Sequence, residues 1–168
     1  MSNVMGIYGH VTWQLHNEDG SLAAEGESDN LVTSVGDRMY AGRGAGIASP
    51  LAAPTGMKLG SGTTNPSKTG AGAALVTYIG DSHQGFDSTF PSGAAQGNGW
   101  RITYKVTYAA GKATTTSAVT EAVIVNETLA NATSTAASTI ARILITGVPS
   151  KTAAQTLTIT WTHDLLGA

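Results

Sequence analysis

From Thr156 to Leu165 the chain alternates threonine with large apolar residues: Leu157, Ile159, Trp161 and Leu165 share one parity, and Thr158, Thr160 and Thr162 the other. A strand turns successive side chains to opposite faces, so this segment predicts one buried face and one turned to water or to another chain. The same period runs through Gly6 to Leu15, where Ile7, Val11, Trp13 and Leu15 oppose Tyr8, His10, Thr12 and Gln14. It returns in Gly99 to Ala109, with Ile102, Tyr104, Val106 and Tyr108 against Arg101, Thr103, Lys105 and Thr107. After the first strand, Asn17-Glu18-Asp19-Gly20-Ser21 supplies turn chemistry, because Asp-Gly accepts the positive φ of a tight hairpin, and the chain returns through Leu22 to Glu27. Further strands are predicted at Thr55–Gly60, Ala73–Ile79, Ala118–Glu127, Ser138–Thr146 and Thr152–Leu166.

One stretch departs from period two. Asn30 to Tyr40 offers a Ser or Thr cap and places Val35 and Met39 four apart, which predicts a single short helix. Gly-, Ala-, Ser- and Pro-rich segments at Ala41–Pro54, Thr63–Gly72 and Asp81–Gly99 read as surface loops, and loops this long tend to carry function. The last holds Phe86 and Phe90, which need cover from the domain beneath or from a neighbour. Seven or eight strands with hairpin-length connections, one helix and long loops predict an all-β, antiparallel β-sandwich rather than βαβ units. Residues 1–168 form one such domain, with a short N-terminal arm over residues 1–5.

Composition narrows the function. Cysteine is absent, which excludes disulfides, thiolate nucleophiles and cysteine-based zinc sites. Nine Lys and Arg against eleven Asp and Glu leave a net charge of -2, so no field draws nucleic acid or an anionic membrane. Charged residues are only 12% of the chain, about half the usual share, which predicts that part of the surface is covered in an assembly, the alternative being a small-residue-rich β fold kept soluble by its Thr and Ser hydroxyls. No apolar run approaches the roughly 18 residues of a membrane span, and Met1-Ser2-Asn3-Val4 does not read as an export signal. Without export, the sequons at Asn126 and Asn131 carry no weight.

Patterns that carry chemistry are weak. Gly62 to Thr69 ends in Lys-Thr like a phosphate loop, but Ser67 replaces the second glycine and Pro66 removes a donor, so a plain loop is the better reading. His10, His16, His83 and His163 show no metal-ligand spacing; pairing of the first and last strands would be the one route bringing His16 towards His163. There is no Gly-x-Ser-x-Gly elbow between strand and helix. Asp81, Asp87, Glu121 and Glu127 are the carboxylates available for a glycosidase-like pair, although acidic residues in β proteins mostly blunt edges and solvate turns. Trp13 and Trp161 fall on buried parities, whereas Trp100, with Tyr40, Phe86 and Phe90, is the aromatic set available at a surface. No cofactor or metal is called for.

The segments Asn30-Leu31-Val32-Thr33-Ser34-Val35-Gly36-Asp37, Met57-Lys58-Leu59-Gly60-Ser61-Gly62-Thr63-Thr64, Ser117 to Ala122 with Val125-Asn126, Ala141-Arg142-Ile143-Leu144 and Lys151 to Thr162 cover much of the chain. In their order and style the chain resembles small virion proteins of tailed bacteriophages that decorate or cement the icosahedral head, or form head fibres and tail appendages. The resemblance implies a β-sandwich, often jelly-roll-like, forming homotrimers on the outer capsid surface with the major capsid protein as partner. It implies no enzymatic activity, and neither nucleic acid nor membrane as partner. On that reading the contacting regions are the Met1–Met5 arm with Met1, Ser2 and Asn3, the Ala41–Pro54 loop and the Asp81–Gly99 loop. Arg38, Tyr40, Arg43, Phe86, Phe90 and Trp100 are the expected interface residues, since arginine and aromatics concentrate in hot spots. A host-glycan-binding fibre domain and a polysaccharide-active enzyme or binding module are the competing expectations.

Overall fold

The computed structural model describes residues 6–48 and 50–165. Among the described residues nine antiparallel strands and one α-helix follow one another as β1 (Ile7–His16), β2 (Leu22–Val32), α1 (Ser34–Gly44), β3 (Gly56–Gly60), β4 (Gln84–Gly85), β5 (Ser92–Gln96), β6 (Gly99–Tyr108), β7 (Glu121–Val125), β8 (Thr139–Leu144) and β9 (Thr156–Leu165). The all-β antiparallel class expected from the alternation is the observed one. All nine strands join in one curled sheet, in the order β4-β3-β7-β8-β2-β1-β9-β6-β5.

The curl makes two layers. β5, β6, β9, β1 and most of β2 form the first, and β4, β3, β7 and β8 the second. The end of β2 links them, pairing Leu31 with Arg142 and Val32 with Ala141 of β8. Beyond β4 the chain turns back onto β6: the Asp87 N–H donates to Lys105 O at 2.8 Å, and the Asp87 carboxylate accepts from Thr107 N–H and Oγ1–H at 2.9 and 2.7 Å. Between the layers lie Val11, Trp13, Leu15, Val106, Ile159 and Trp161 of the first and Met57, Leu59, Ile124 and Ile143 of the second, all at most 2% exposed. Each such large apolar side chain contributes about 1.5–3 kcal/mol by leaving water.

The helix starts within the stretch that predicts it, with β2 running up to its cap. Asn30, Leu31 and Val32 complete β2, and Thr33 is the cap, its Oγ1 accepting from Gly36 N–H at 3.1 Å and donating to Thr139 O at 2.6 Å. α1 lies so close to β8 that a Cβ on Gly36 would sit 2.2 Å from Ile140 O. Its last turn takes up Ala41 to Gly44, so the expected Ala41–Pro54 loop is helical at its start.

Two other expectations are corrected. Ala73–Ile79 is not a strand; it makes one isolated bridge, between Tyr78 and Gly60, because the Glu121 carboxylate takes the Thr77 N–H that a ladder would return to Ser61 O, together with the neighbouring Val76 N–H. Asp81–Gly99 is not a continuous loop but contains β4 and β5. Ser92-Gly93-Ala94-Ala95-Gln96 has no β-branched residue and no alternation to betray a strand; its register comes from the two-residue turn Gly97-Asn98, with Gly97 at φ 55°, and from pairing with β6.

Candidate functional site

The second layer is buried on both faces. β7 sends Ala122 and Ile124 into the main core, while Val123 and Val125 face outward beneath Leu75, Tyr78 and Leu129. This outward row carries charge. Arg142 and Glu121 are fully buried, with Arg142 Nη2 and Nε donating to Glu121 Oε2 at 2.7 and 3.2 Å and Nη1 to Thr64 O at 2.6 Å. Glu121 also accepts from the N–H groups of Gly62, Thr77 and Val76 at 2.9, 2.7 and 3.2 Å. The pair therefore clamps residues 62–77 against the sheet. Gly60 and Gly62 make room for it, since a Cβ on either would meet Glu121 Oε1 at 2.5 or 2.4 Å.

Beside it, Lys58 Nζ donates to Glu127 Oε1 at 2.7 Å and to Ala132 O at 2.9 Å. Burial opposes ionisation of Glu127, but hydrogen bonds from Lys58 and Ser134 outweigh it and hold the carboxyl below its usual range. Asp81 accepts from Lys112 at 3.1 Å, and Asp87 is taken by Thr107. Each of the four carboxylates weighed for glycosidic chemistry is thus engaged in holding a loop.

A third polar cluster sits inside the first layer. His163 is fully buried; Tyr40 Oη lies 2.6 Å from its Nδ1 and 2.6 Å from Tyr104 Oη. Burial pushes the His163 imidazolium down to about 3, so the ring is neutral at ordinary pH. Burial also pushes both phenols up, keeping their protons in place. His16 plays no part: the antiparallel register sets His16 opposite Thr156 and His163 opposite Gly9, at opposite ends of the β1–β9 pair. Among the described residues no group of three or more His, Asp or Glu side chains is placed to hold a metal ion.

The outer face of the first layer carries a polar groove of about 520 Å³ between Thr12, Gln14, Glu25, Glu27, Thr158 and Thr160. At the end where β1 begins and β9 finishes, Arg101 forms a two-pronged ion pair with Asp164, at 2.6 and 2.7 Å, and this holds the Asp164 carboxyl below its usual range. Here too Tyr8 is 66% and Trp100 51% exposed. The β5–β6 hairpin extends past the core, and all five residues of β5 are exposed on both faces.

The residues expected at an interface separate accordingly. Trp100 stands on this hairpin, at the entrance of β6, where the alternation from Gly99 predicts a strand. Arg38 and Arg43 are exposed on α1, Arg43 Nε donating to Leu51 O at 3.1 Å. Phe90 is half-buried. Tyr40 and Phe86 turn inward, Tyr40 to the histidine cluster and Phe86 against Tyr104 with ring centroids 5.2 Å apart, so the domain beneath provides their cover. Met1, Ser2 and Asn3 lie outside the described residues. What sequence reasoning missed is β5, whose signal was the Gly97-Asn98 turn ahead of a strong strand. No protein-family model matches the chain, and neither a curated protein nor a solved structure is detectably similar to it.

Proposed function

We propose that the protein is a non-enzymatic structural component of a tailed-bacteriophage virion that binds the outside of the assembled capsid and stabilises it. The observation that carries this reading is how the polar chemistry is spent. Glu121, Glu127, Asp81 and Asp87, the acids a hydrolase would need, are consumed in fastening loops, while β5 and the turn that follows it leave an uncharged, exposed strand beside a half-exposed tryptophan. Such a surface suits cover by another chain, as does the 12% charge content. The mechanism is linkage: a protein that binds the assembled lattice and not its dissociated subunits stabilises the lattice by mass action. Several weak contacts per copy combine into avidity, because each contact makes the next nearly intramolecular.

Image reconstruction of particles with and without this protein tests the reading. Density repeating over the outer capsid lattice, together with particles that dissociate more easily when it is missing, is the expected result. A few copies confined to a tail or fibre would instead favour host-surface recognition, and absence from virions would overturn the proposal.

A further inference from the structure

The first layer has two edges, and they differ in charge. Along β2 the free edge carries Glu25, Glu27 and Asp29, three acids on one face, which blunt it against pairing with another strand. β5, at the other edge, has no charge, no proline and no bulge: Ser92, Gly93, Ala94, Ala95 and Gln96 pair with β6 in unbroken register and are bare on both faces. Natural sheets rarely leave such an edge open, because its unpaired N–H and C=O groups template another strand.

The hairpin sets which groups are free. Gln96 and Gly99 close the two-residue turn as a hydrogen-bonded pair, so Ala94 and Ser92, at two-residue intervals, also direct their backbone groups to β6. Gly93 and Ala95 then present their N–H and C=O groups outward.

We infer that this edge pairs with β5 of a second copy of the chain, antiparallel about a twofold axis beside Ala94, so that Gly93 and Ala95 of each copy bond to Ala95 and Gly93 of the other. Charge selects this occupant. A strand without charge meets its own twin without repulsion, whereas β2 meeting β2 would oppose its acids. Size agrees, since Ala94 faces Ala94 across the axis, where opposite residues approach most closely. The Trp100 indole already overhangs Gly93, its Nε1 2.6 Å from where a Cβ would stand, and reaches across the edge towards the Ala95 methyl of the second copy. The first layer becomes one ten-stranded sheet spanning two molecules. This contact concerns the free protein and does not depend on the capsid reading.

Sedimentation of the full chain tests it. Wild-type protein is expected at twice the mass of one chain. Ala94→Lys and Ala94→Glu, which place like charges across the axis, are each expected to weaken self-association by at least about tenfold, and mixing the two is expected to restore a dimer. Circular dichroism establishes that both variants fold, and Ala95→Pro, which removes an outward N–H, provides an independent break. A wild-type monomer, an oligomer unmoved by these substitutions, or no recovery on mixing folded variants would overturn the inference. Because no capsid is present, its failure leaves the virion assignment to its own experiment.

Discussion

Asn30 of β2 and His163 of β9 face one another from two strands apart, with Asn30 Nδ2 placed 3.4 Å from His163 Nε2 across the Gly9 backbone of β1. Asn30 Oδ1 has no partner in that orientation. Neutral His163 has one donor and one acceptor: with the proton on Nδ1 it donates to Tyr40 Oη, Tyr40 donates to Tyr104 Oη, and Nε2 accepts from Asn30 Nδ2–H. Asn30 Oδ1 then stays unpartnered where it lies over Gly9, at a cost of roughly 1–3 kcal/mol.

Gly9 is the residue that permits this bridge. A Cβ there would lie 2.1 Å from Asn30 Cγ, whichever way the amide faces. Gly9→Ala is therefore expected to expel the Asn30 side chain and cost about 2–4 kcal/mol, from overpacking plus lost hydrogen bonds. Asn30→Ala should cost less, and in the Asn30→Ala background Gly9→Ala should be much milder. Urea unfolding of the two single variants and the double variant measures this coupling.

His163 also makes stability depend on pH. Its folded value of about 3 lies below the ordinary 6.5, so below pH 6.5 the unfolded chain takes up a proton that the folded chain refuses. The stabilisation is complete above pH 6.5 and is lost as pH falls towards 3, with a slope of at most about 1.4 kcal/mol per unit. Asp164 and Glu127 act in the same direction, but only below their ordinary values of 3.8 and 4.5. Unfolding free energies at about pH 7 and about pH 5 isolate His163: wild type loses on the order of 1–2 kcal/mol between them, and His163→Gln loses correspondingly less.

Breaking the buried pair of the second layer should be expensive. Arg142→Met leaves the Glu121 carboxylate buried without its cation, and the expected cost is about 3–5 kcal/mol. Glu121→Gln keeps hydrogen-bonding capacity but strands the guanidinium. Because each single change includes the penalty of the charge left behind, the double variant should cost less than the two costs combined. A further readout is local: protease sensitivity of residues 62–77 should rise in both single variants, since Glu121 holds the N–H groups of Gly62, Val76 and Thr77.

Trp100 should separate stability from association. Half exposed and beyond the core, it is expected to contribute within about 1 kcal/mol to folding, so Trp100→Ala should melt close to wild type. Trp13 and Trp161, buried between the layers, should each cost about 3–5 kcal/mol as alanine variants. Thermal unfolding and sedimentation of the three variants together distinguish a surface residue from the core pair.

The long strands could be read from the sequence because burying one face of a sheet imposes a period of two on the chain. In β1, β6 and β9 the apolar parity is the buried parity, and Trp13 and Trp161 fall where that parity places them. Thr33 announced the helix cap by type, though its position depended on β2 continuing through Leu31 and Val32 to reach β8. Burial on both faces erases the alternation of β7, and its covering segment at Ala73–Ile79 has strand-like composition while its N–H groups go to a carboxylate. Nothing local marks Glu121 and Arg142 as partners or Gly9 as the floor beneath Asn30, and for Ser92–Gln96 the Gly97-Asn98 turn hints at a hairpin but not at an open edge. Local pattern depends on one residue's preference for water or core, and so it determined the class and the faces of the fold. Pairs, clamps and edges are properties of distant segments brought together, and only the folded sheet could decide them.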